Sequence, residues 1–229
     1  SFSWFDSRTE PAALAEVTAS YPNTKIVTGP FHNEMWVGID LAVVSPGISL
    51  SEPAIVNARK NGLEIIGDLA LFLAAAEAPV VAISGSNGKS TVTTLLGEMA
   101  KASGIDAGVG GNLGVPMLDL LAVGRQLYVV ELSSFQLELI NDLKGAVACL
   151  LNISPDHMDR YKTLDDYVTA KQRIFQGAVS IVSNRDDSLI NLPSVEQSDV
   201  TTFGLDAPLE GQYGVTNHQD RDYLCCGDE

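Results

Sequence analysis

An unbroken apolar run, Pro79-Val80-Val81-Ala82-Ile83, meets an amphipathic stretch from Ser90 to Ser103 through the segment Ser84-Gly85-Ser86-Asn87-Gly88-Lys89-Ser90-Thr91. Few folds accommodate that sequence of events. A continuous apolar run reads as a strand covered on both faces, which calls for helices on either side of a parallel sheet. Gly85 and Gly88 let the linking backbone turn so that successive N–H groups point inward. The helix that follows adds the partial positive charge of its N-terminus, and the result is an anion cradle. Lys89 can reach β- and γ-phosphate oxygens, and the Ser90 hydroxyl can ligate Mg²⁺. The position that a strict Walker A motif fills with glycine is Ile83, so the loop has the shorter G-x-x-G-K-S form. A chance glycine turn is the bland alternative, and the strand–loop–helix context weighs against it.

The rest of the chain repeats the alternation of strand and helix. Trp4-Phe5 ends a strand, Pro11 to Tyr21 reads as a helix, and the buried strand Leu41-Ala42-Val43-Val44 runs into the turn Ser45-Pro46-Gly47. Ser51 is expected to cap a helix that stops at Asn61-Gly62, and Leu63 to Ile66 is a further strand. Residues 1–67 therefore read as a fragment of a doubly wound parallel sheet, and residues 68–229 as a second unit around the phosphate loop. In that unit a helix covers Leu69 to Glu77, and Val92, Leu95, Leu96 and Met99 form an apolar stripe expected to face the core. Buried strands are expected at Leu127 to Leu132, Ala146 to Ile153 and Val179 to Ser183, with helices between them. The stretch from Asp186 to Asp222 is polar, with Gly and Pro, and its elements are poorly determined by the sequence. Both ends look cut: the chain opens on Ser1-Phe2-Ser3-Trp4 without Met and closes on Cys226-Gly227-Asp228-Glu229 just after a strand-like run.

Charge narrows the function. Among 229 residues, 29 Asp and Glu oppose 14 Lys and Arg, a formal net charge of −15. A broad clamp on nucleic-acid phosphates needs a basic face, so that class is excluded. With 45% hydrophobic and 19% charged residues the chain can build real cores, which excludes a disordered protein. No apolar run reaches the ~18 residues of a membrane span, and no signal peptide opens the chain, so a cytoplasmic protein is expected. Cys149, Cys225 and Cys226 are too few and too unevenly placed for a disulfide framework. A phosphate ligand must then be met by backbone N–H groups, a few cations, or a metal.

Candidates for that work lie at strand ends, where open α/β sheets gather ligands. Glu131 closes the strand from Leu127 and could bind Mg²⁺ or be a solvated charge. Ser154-Pro155-Asp156-His157-Met158-Asp159-Arg160 follows the next strand and groups carboxylates, a His and an Arg. Thr163 with Asp166 makes a near capping box for a helix whose apolar positions are Leu164, Tyr167, Val168, Ile174 and Phe175. Lys171 falls on that apolar stripe. A desolvated lysine loses preference for its ammonium form and becomes an available amine, or it snorkels to the helix edge or pairs with an Asp. A neutral lysine near a metal can also take up carbon dioxide as a carbamate.

Together these residues resemble the Mur ligase family of peptidoglycan synthesis. The resemblance is carried by Gly85-Ser86-Asn87-Gly88-Lys89-Ser90-Thr91, Gly110-Gly111-Asn112-Leu113-Gly114, Glu131-Leu132-Ser133-Ser134-Phe135-Gln136-Leu137-Glu138, Asp156-His157-Met158-Asp159-Arg160-Tyr161 and Ala170-Lys171. It extends through Asp6-Ser7-Arg8 and Ser45-Pro46-Gly47 and fades after about Asp187. The runs around Phe135-Gln136 and Met158-Asp159-Arg160 point to the D-glutamate-adding branch.

The resemblance implies an α/β fold: an incomplete Rossmann-like N-terminal domain, then a P-loop central domain with a mainly parallel sheet, the family's C-terminal domain being absent. It implies ATP-dependent amide synthesis on UDP-N-acetylmuramoyl-L-alanine and D-glutamate through an acyl phosphate, by a cytoplasmic monomer that touches neither nucleic acid nor membrane. Lys89 would stabilise the transferring phosphoryl group; Ser90 and Glu131 would hold one Mg²⁺; His157 and a carbamylated Lys171 would serve a second. The loop Gly85 to Thr91 would bind ATP, Asn112 and Ser133 the muramoyl substrate, and Asp6, Ser7, Arg8 and Gly47 the uridine. The 229 residues alone are expected to show no ligase turnover. Three readings compete: a folylpolyglutamate synthase or another amino-acid-adding Mur ligase; a P-loop switch or transporter ATPase, which would want the missing Walker A glycine and has no use for Lys171; and a nucleotide- or UDP-sugar-binding module without catalysis.

Overall fold

The computed structural model describes residues 2–193 and 199–227. Ser1, the pair Asp228-Glu229 and residues 194–198 of the polar stretch lie outside the described residues. The chain divides into two units, Ser1–Ala42 with Ile48–Ile65, and Val43–Gly47 with Ile66–Glu229.

In the first unit β1 (Ser3–Asp6) and β2 (Lys25–Thr28) pair in parallel, Ser3 opposite Lys25 and Asp6 opposite Thr28. Between them α1 (Leu14–Ser20) buries none of its residues. β3 (Leu41–Val43) and β4 (Glu64–Ile66), joined through α2 (Pro53–Lys60), make a separate two-stranded sheet. The expected single sheet is thus two small ones. Nor is the strand at Leu41 buried on both faces: Leu41 and Val43 are exposed while Ala42 and Val44 are buried, the alternation of a half-covered strand. Ser51 does not cap α2. The cap position is Glu52, without a side-chain bond, and Pro53 starts the helix where a missing N–H costs nothing. At the other end Gly62, with φ of +87°, stops it as expected.

The second unit opens with α3 (Asp68–Ala75) and β5 (Val80–Ser84), then α4 (Lys89–Ala102), β6 (Ala107–Gly111), β7 (Leu127–Glu131), the single turn α5 (Ser134–Leu137), β8 (Val147–Leu150), α6 (Leu164–Gln172) and β9 (Ser180–Asn184). β10 (Asp199–Phe203), β11 (Gln212–His218) and β12 (Arg221–Cys226) complete it. Among the described residues eight strands form one sheet in the order β12-β11-β10-β9-β8-β5-β7-β6. Every pairing is parallel except β11 with β12. The phosphate-loop strand β5 lies between β7 and β8, so residues after three neighbouring strands open on one end of the sheet. Phe72, Tyr128, Val130, Leu150 and Tyr167, each at most 2% exposed, belong to the core beneath it.

One expectation for this unit needs correction, and two regions hold elements the sequence does not signal. The stripe on α4 is turned: Leu95 and Met99 are more than half exposed, and Thr93, Gly97 and Ala100 are buried. Gly97 explains the rotation, because a Cβ there would stand 2.7 Å from Val109 of β6, so the helix backbone seats directly on the sheet. β6 itself carries little strand signal, because Ala107-Gly108-Val109-Gly110-Gly111 is poor in strand formers. Its glycines are there for contact: a Cβ on Gly110 would strike the Val115 carbonyl, and one on Gly111, at φ of +114°, the Glu131 carbonyl. The polar stretch after Asp186 holds β10 and the β11–β12 hairpin. That hairpin turns through Gln219 and Asp220 at φ of +53° and +57°, the geometry usually signalled by Asn-Gly.

Candidate functional site

The loop after β5 is tied on one side to the chain following β8. The Ser86 N–H donates to the Asn152 carbonyl (2.9 Å), Asn87 N–H to Asn152 Oδ1 (2.8 Å), and Asn152 Nδ2 returns a bond to the Asn87 carbonyl (3.0 Å). Ser86 Oγ lies 2.9 Å from Tyr167 Oη and bonds both the N–H and the carbonyl of Ser154. Gly85 is packed so closely that a Cβ would meet Leu151 Cβ at 3.1 Å. Gly88 caps α4 in the left-handed region, φ +79°, which turns the chain into the helix and leaves Asn87 and Gly88 exposed. Lys89 folds back, its Nζ donating to the carbonyls of Gly85 (2.8 Å) and Ser86 (3.0 Å). Thr91 is exposed on the outer face of α4.

On the other side of the loop stands Glu131, 2% exposed. Its Oε2 accepts from Ser90 Oγ at 2.7 Å and its Oε1 from Asn112 Nδ2 at 2.9 Å. Asn112 arrives there because Gly111 lets its N–H reach the Glu131 carbonyl at 2.9 Å. Among the described residues Glu131 makes no ion pair. A buried carboxylate held only by neutral donors, with a hydroxyl and an amide oxygen beside it, offers the hard oxygen set that suits Mg²⁺.

Lys171 is the second buried charge, also 2% exposed. The capping box Thr163–Asp166 starts α6 as its sequence indicates, and the helix turns Lys171 inward. Nζ donates to the Gly85 carbonyl at 2.8 Å and lies 3.4 Å from Ser84 Oγ and 5.2 Å from the Tyr167 ring centre. Lys89 bonds the same Gly85 carbonyl. Burial first, and the Lys89 charge second, push the Lys171 amine down to about 7, against the weaker pull of Asp156 and Glu131.

His157 joins neither group by a hydrogen bond. It holds φ of +53°, half exposed, with its ring 4.9 Å from Phe135 and Nε2 3.5 Å from Asp156. Phe135 also carries the Arg160 guanidinium at 4.2 Å, and Arg160 reaches the Pro46 carbonyl (2.9 Å) and Glu138 (3.1 Å). Ser133 caps α5 and exchanges bonds with Gln136. Asp6 and Arg8 form an exposed ion pair at 2.6 Å in the first unit, which holds the Asp6 carboxyl down at about 2; Ser7 and Gly47 are exposed turn residues. Among the described residues no three His, Cys, Asp or Glu side chains converge as a ready metal site. None of the described helices is long and apolar enough to cross a membrane. Cys149 is buried, its thiol pushed up to about 11 by desolvation, and Cys225 and Cys226 are free. Sequence reading overlooked Asn152 and Tyr167 as loop contacts, although Tyr167, one helical turn before Lys171, had the spacing to share its face.

A glycine loop joining a central parallel strand to a helix, with a buried carboxylate on the neighbouring strand, defines the class as a P-loop-type α/β fold. The family model for the Mur ligase middle domain matches residues 83–225, and that for the Mur ligase MurD-like N-terminal domain matches residues 1–67. The chain belongs to the Mur ligase family.

It is 48% identical to the UDP-N-acetylmuramoylalanine--D-glutamate ligase of Hahella chejuensis over 228 residues, 100% of this chain and 51% of the relative. With the ligase of the same name from Marinobacter nauticus it shares 52% over 184 residues, 80% of this chain and 41% of the relative. The chain spans about half the length of the curated relatives it matches. Two solved structures share its fold. One is the Neisseria meningitides UDP-N-acetylmuramate:L-alanyl-gamma-D-glutamyl-meso-diaminopimelate ligase: TM-score 0.56, 16% identity, 97% of this chain and 75% of that one. The other is a MurF ligase from Thermotoga maritima in complex with ADP: TM-score 0.55, 16% identity, 97% of this chain and 57% of that one.

Proposed function

We propose that the chain carries the uridine-nucleotide and ATP sites of an ATP-dependent ligase that joins D-glutamate to UDP-N-acetylmuramoyl-L-alanine in peptidoglycan precursor synthesis. The name borne by the relatives supports the substrates. The observation that carries the chemistry is the buried Glu131–Ser90 pair at the mouth of the phosphate loop. Residues 1–67 form the uridine-binding domain, with Asp6, Ser7, Arg8 and Gly47 at the nucleotide; residues 68–229 form the ATP-binding domain. The protein works in the cytoplasm as a monomer.

In this reading the amides from Gly88 to Ser90 hold the ATP phosphates, and Lys89 leaves its carbonyl partners to bind the β- and γ-oxygens. Ser90 and Glu131 would hold a Mg²⁺, which when bound would supply charge neutralisation on those oxygens. The substrate carboxylate, placed by Asn112 and Ser133, attacks the γ-phosphorus and ADP departs, leaving an acyl phosphate. The amine of D-glutamate attacks the acyl carbon, the tetrahedral adduct expels inorganic phosphate, and the amide forms with loss of a proton. Lys171, as a neutral amine, would take up carbon dioxide, forming an N–C bond and releasing a proton, and its carbamate with His157 would hold a second Mg²⁺. The 229 residues alone bind but do not turn over.

Phosphate release from ATP by a full-length ligase containing these residues tests the reading. It should require UDP-N-acetylmuramoyl-L-alanine and D-glutamate together and fail with other amino acids or dipeptides. Release that ignores the acceptor would establish an ATPase and sink the proposal. Bicarbonate depletion should lower the rate, and Lys171→Ala should regain part of it with a small carboxylate.

A further inference from the structure

The aromatic residue between the phosphate loop and Lys171 has its own task. Tyr167 is fully buried, and its hydroxyl and ring face different partners. Ser86 Oγ has three polar neighbours: the Ser154 N–H at 2.9 Å, the Ser154 carbonyl at 3.0 Å and Tyr167 Oη at 2.9 Å. A carbonyl only accepts, so the single Ser86 proton goes to Ser154, and the Ser86 oxygen accepts from the Ser154 N–H. Tyr167 is therefore the donor to Ser86. Its ring meets Lys171 Nζ at 5.2 Å and Tyr161 edge-on at 5.2 Å; Tyr161 stacks on Phe135 at 6.0 Å, and Phe135 carries His157. One aromatic series thus joins the phosphate loop and Lys171 to the His157 segment.

We propose that Tyr167 is a positioning residue of the phosphate loop, its phenol fixing Ser86 while its ring seats the Lys171 side chain. An ordinary core tyrosine would have no need to be the third partner of a loop hydroxyl already bonded at both its proton and its oxygen. The meaning for catalysis rests on the nucleotide reading above; the effect on the loop does not.

Amide hydrogen exchange on the ligand-free chain separates the two. Tyr167→Phe keeps the ring and removes the donor. The Ser86 and Asn87 amides, both bonded to Asn152, should exchange about fivefold faster. Tyr128 to Val130 in β7 should be unchanged. Ser86→Ala removes that bond together with the two to Ser154, so it should speed exchange at least as much, and adding Tyr167→Phe to it should bring no further increase because the shared bond is already gone. Unchanged Ser86 and Asn87 exchange in Tyr167→Phe, a loss of protection spreading equally into β7, or additive single effects would each overturn the assignment. A titration with Mg²⁺–ATP completes the test: affinity should fall about fivefold in Tyr167→Phe, and equal affinity in the two proteins would overturn it. If the unaltered chain takes no Mg²⁺–ATP while the exchange pattern holds, the nucleotide reading fails and Tyr167 still positions the loop.

Discussion

Glu131 and Lys171 flank the same loop, each 2% exposed, and among the described residues neither has an ion-pair partner. Their surroundings nevertheless differ in kind. The carboxylate is held by a hydroxyl and an amide, side chains with oxygen lone pairs of their own to turn toward an incoming cation. The ammonium is held by one short bond to a carbonyl that a second lysine also occupies. One pocket sets oxygen-bearing side chains around its carboxylate; the other works against its charge. That contrast fits the metal-nucleotide site proposed above, and it can be broken from either side.

The largest effect should come from Glu131→Gln, which preserves volume and most of the hydrogen bonding but not the charge. Mg²⁺–ATP affinity measured by calorimetry should fall by about 100-fold, with thermal stability changed by only a few degrees. Lys171→Met should weaken that binding far less. Equal losses in the two variants would erase the distinction between the pockets.

The lysine pocket has a pH signature. The folded-state value, about 7, lies below the unfolded 10.5, so between those values the unfolded chain binds more protons. Stability must then rise with pH across that window, and the cost of the buried ammonium is fully felt below pH 7. Denaturant unfolding of the unaltered chain should gain about 3 kcal/mol between pH 7 and 10 relative to Lys171→Met. A flat difference would mean the ammonium is as comfortable inside as in water.

The two pockets were unequally legible in the sequence. Lys171 announced itself because a lysine on an apolar helical stripe is conspicuous, and the capping box at Thr163 fixed the phase of that helix. Glu131 could be placed at a strand end but not known to be buried, since its cover comes from Asn112, which reaches it through a glycine strand that carries almost no strand signal. The α4 stripe misled for a related reason. Hydrophobicity named Leu95 and Met99, yet close approach selected Gly97, whose missing side chain is invisible to a hydrophobic pattern. Periodicity locates what wants burial; backbone proximity decides what is buried, and only the fold shows it.

The hydroxyls that serve the two charges give the finest comparison. Ser90 Oγ meets Glu131 at 2.7 Å, a short charge-assisted bond, whereas Ser84 Oγ stands 3.4 Å from Lys171 and donates instead to the Leu132 carbonyl at 2.8 Å. Ser90→Ala deprives a buried carboxylate of one of its two donors and should cost about 1–2 kcal/mol in denaturant unfolding at pH 8. Ser84→Ala removes only a long contact to the ammonium and a neutral bond to the backbone, so about 1 kcal/mol or less is expected. Its effect should also depend little on pH between 7 and 10, since the Gly85 carbonyl remains the principal acceptor for Lys171. If Ser84→Ala instead proved the costlier change, and increasingly so at low pH, the hydroxyl would be a main support of the ammonium. The lysine pocket would then resemble the Glu131 pocket, a charge held by neutral partners built for it.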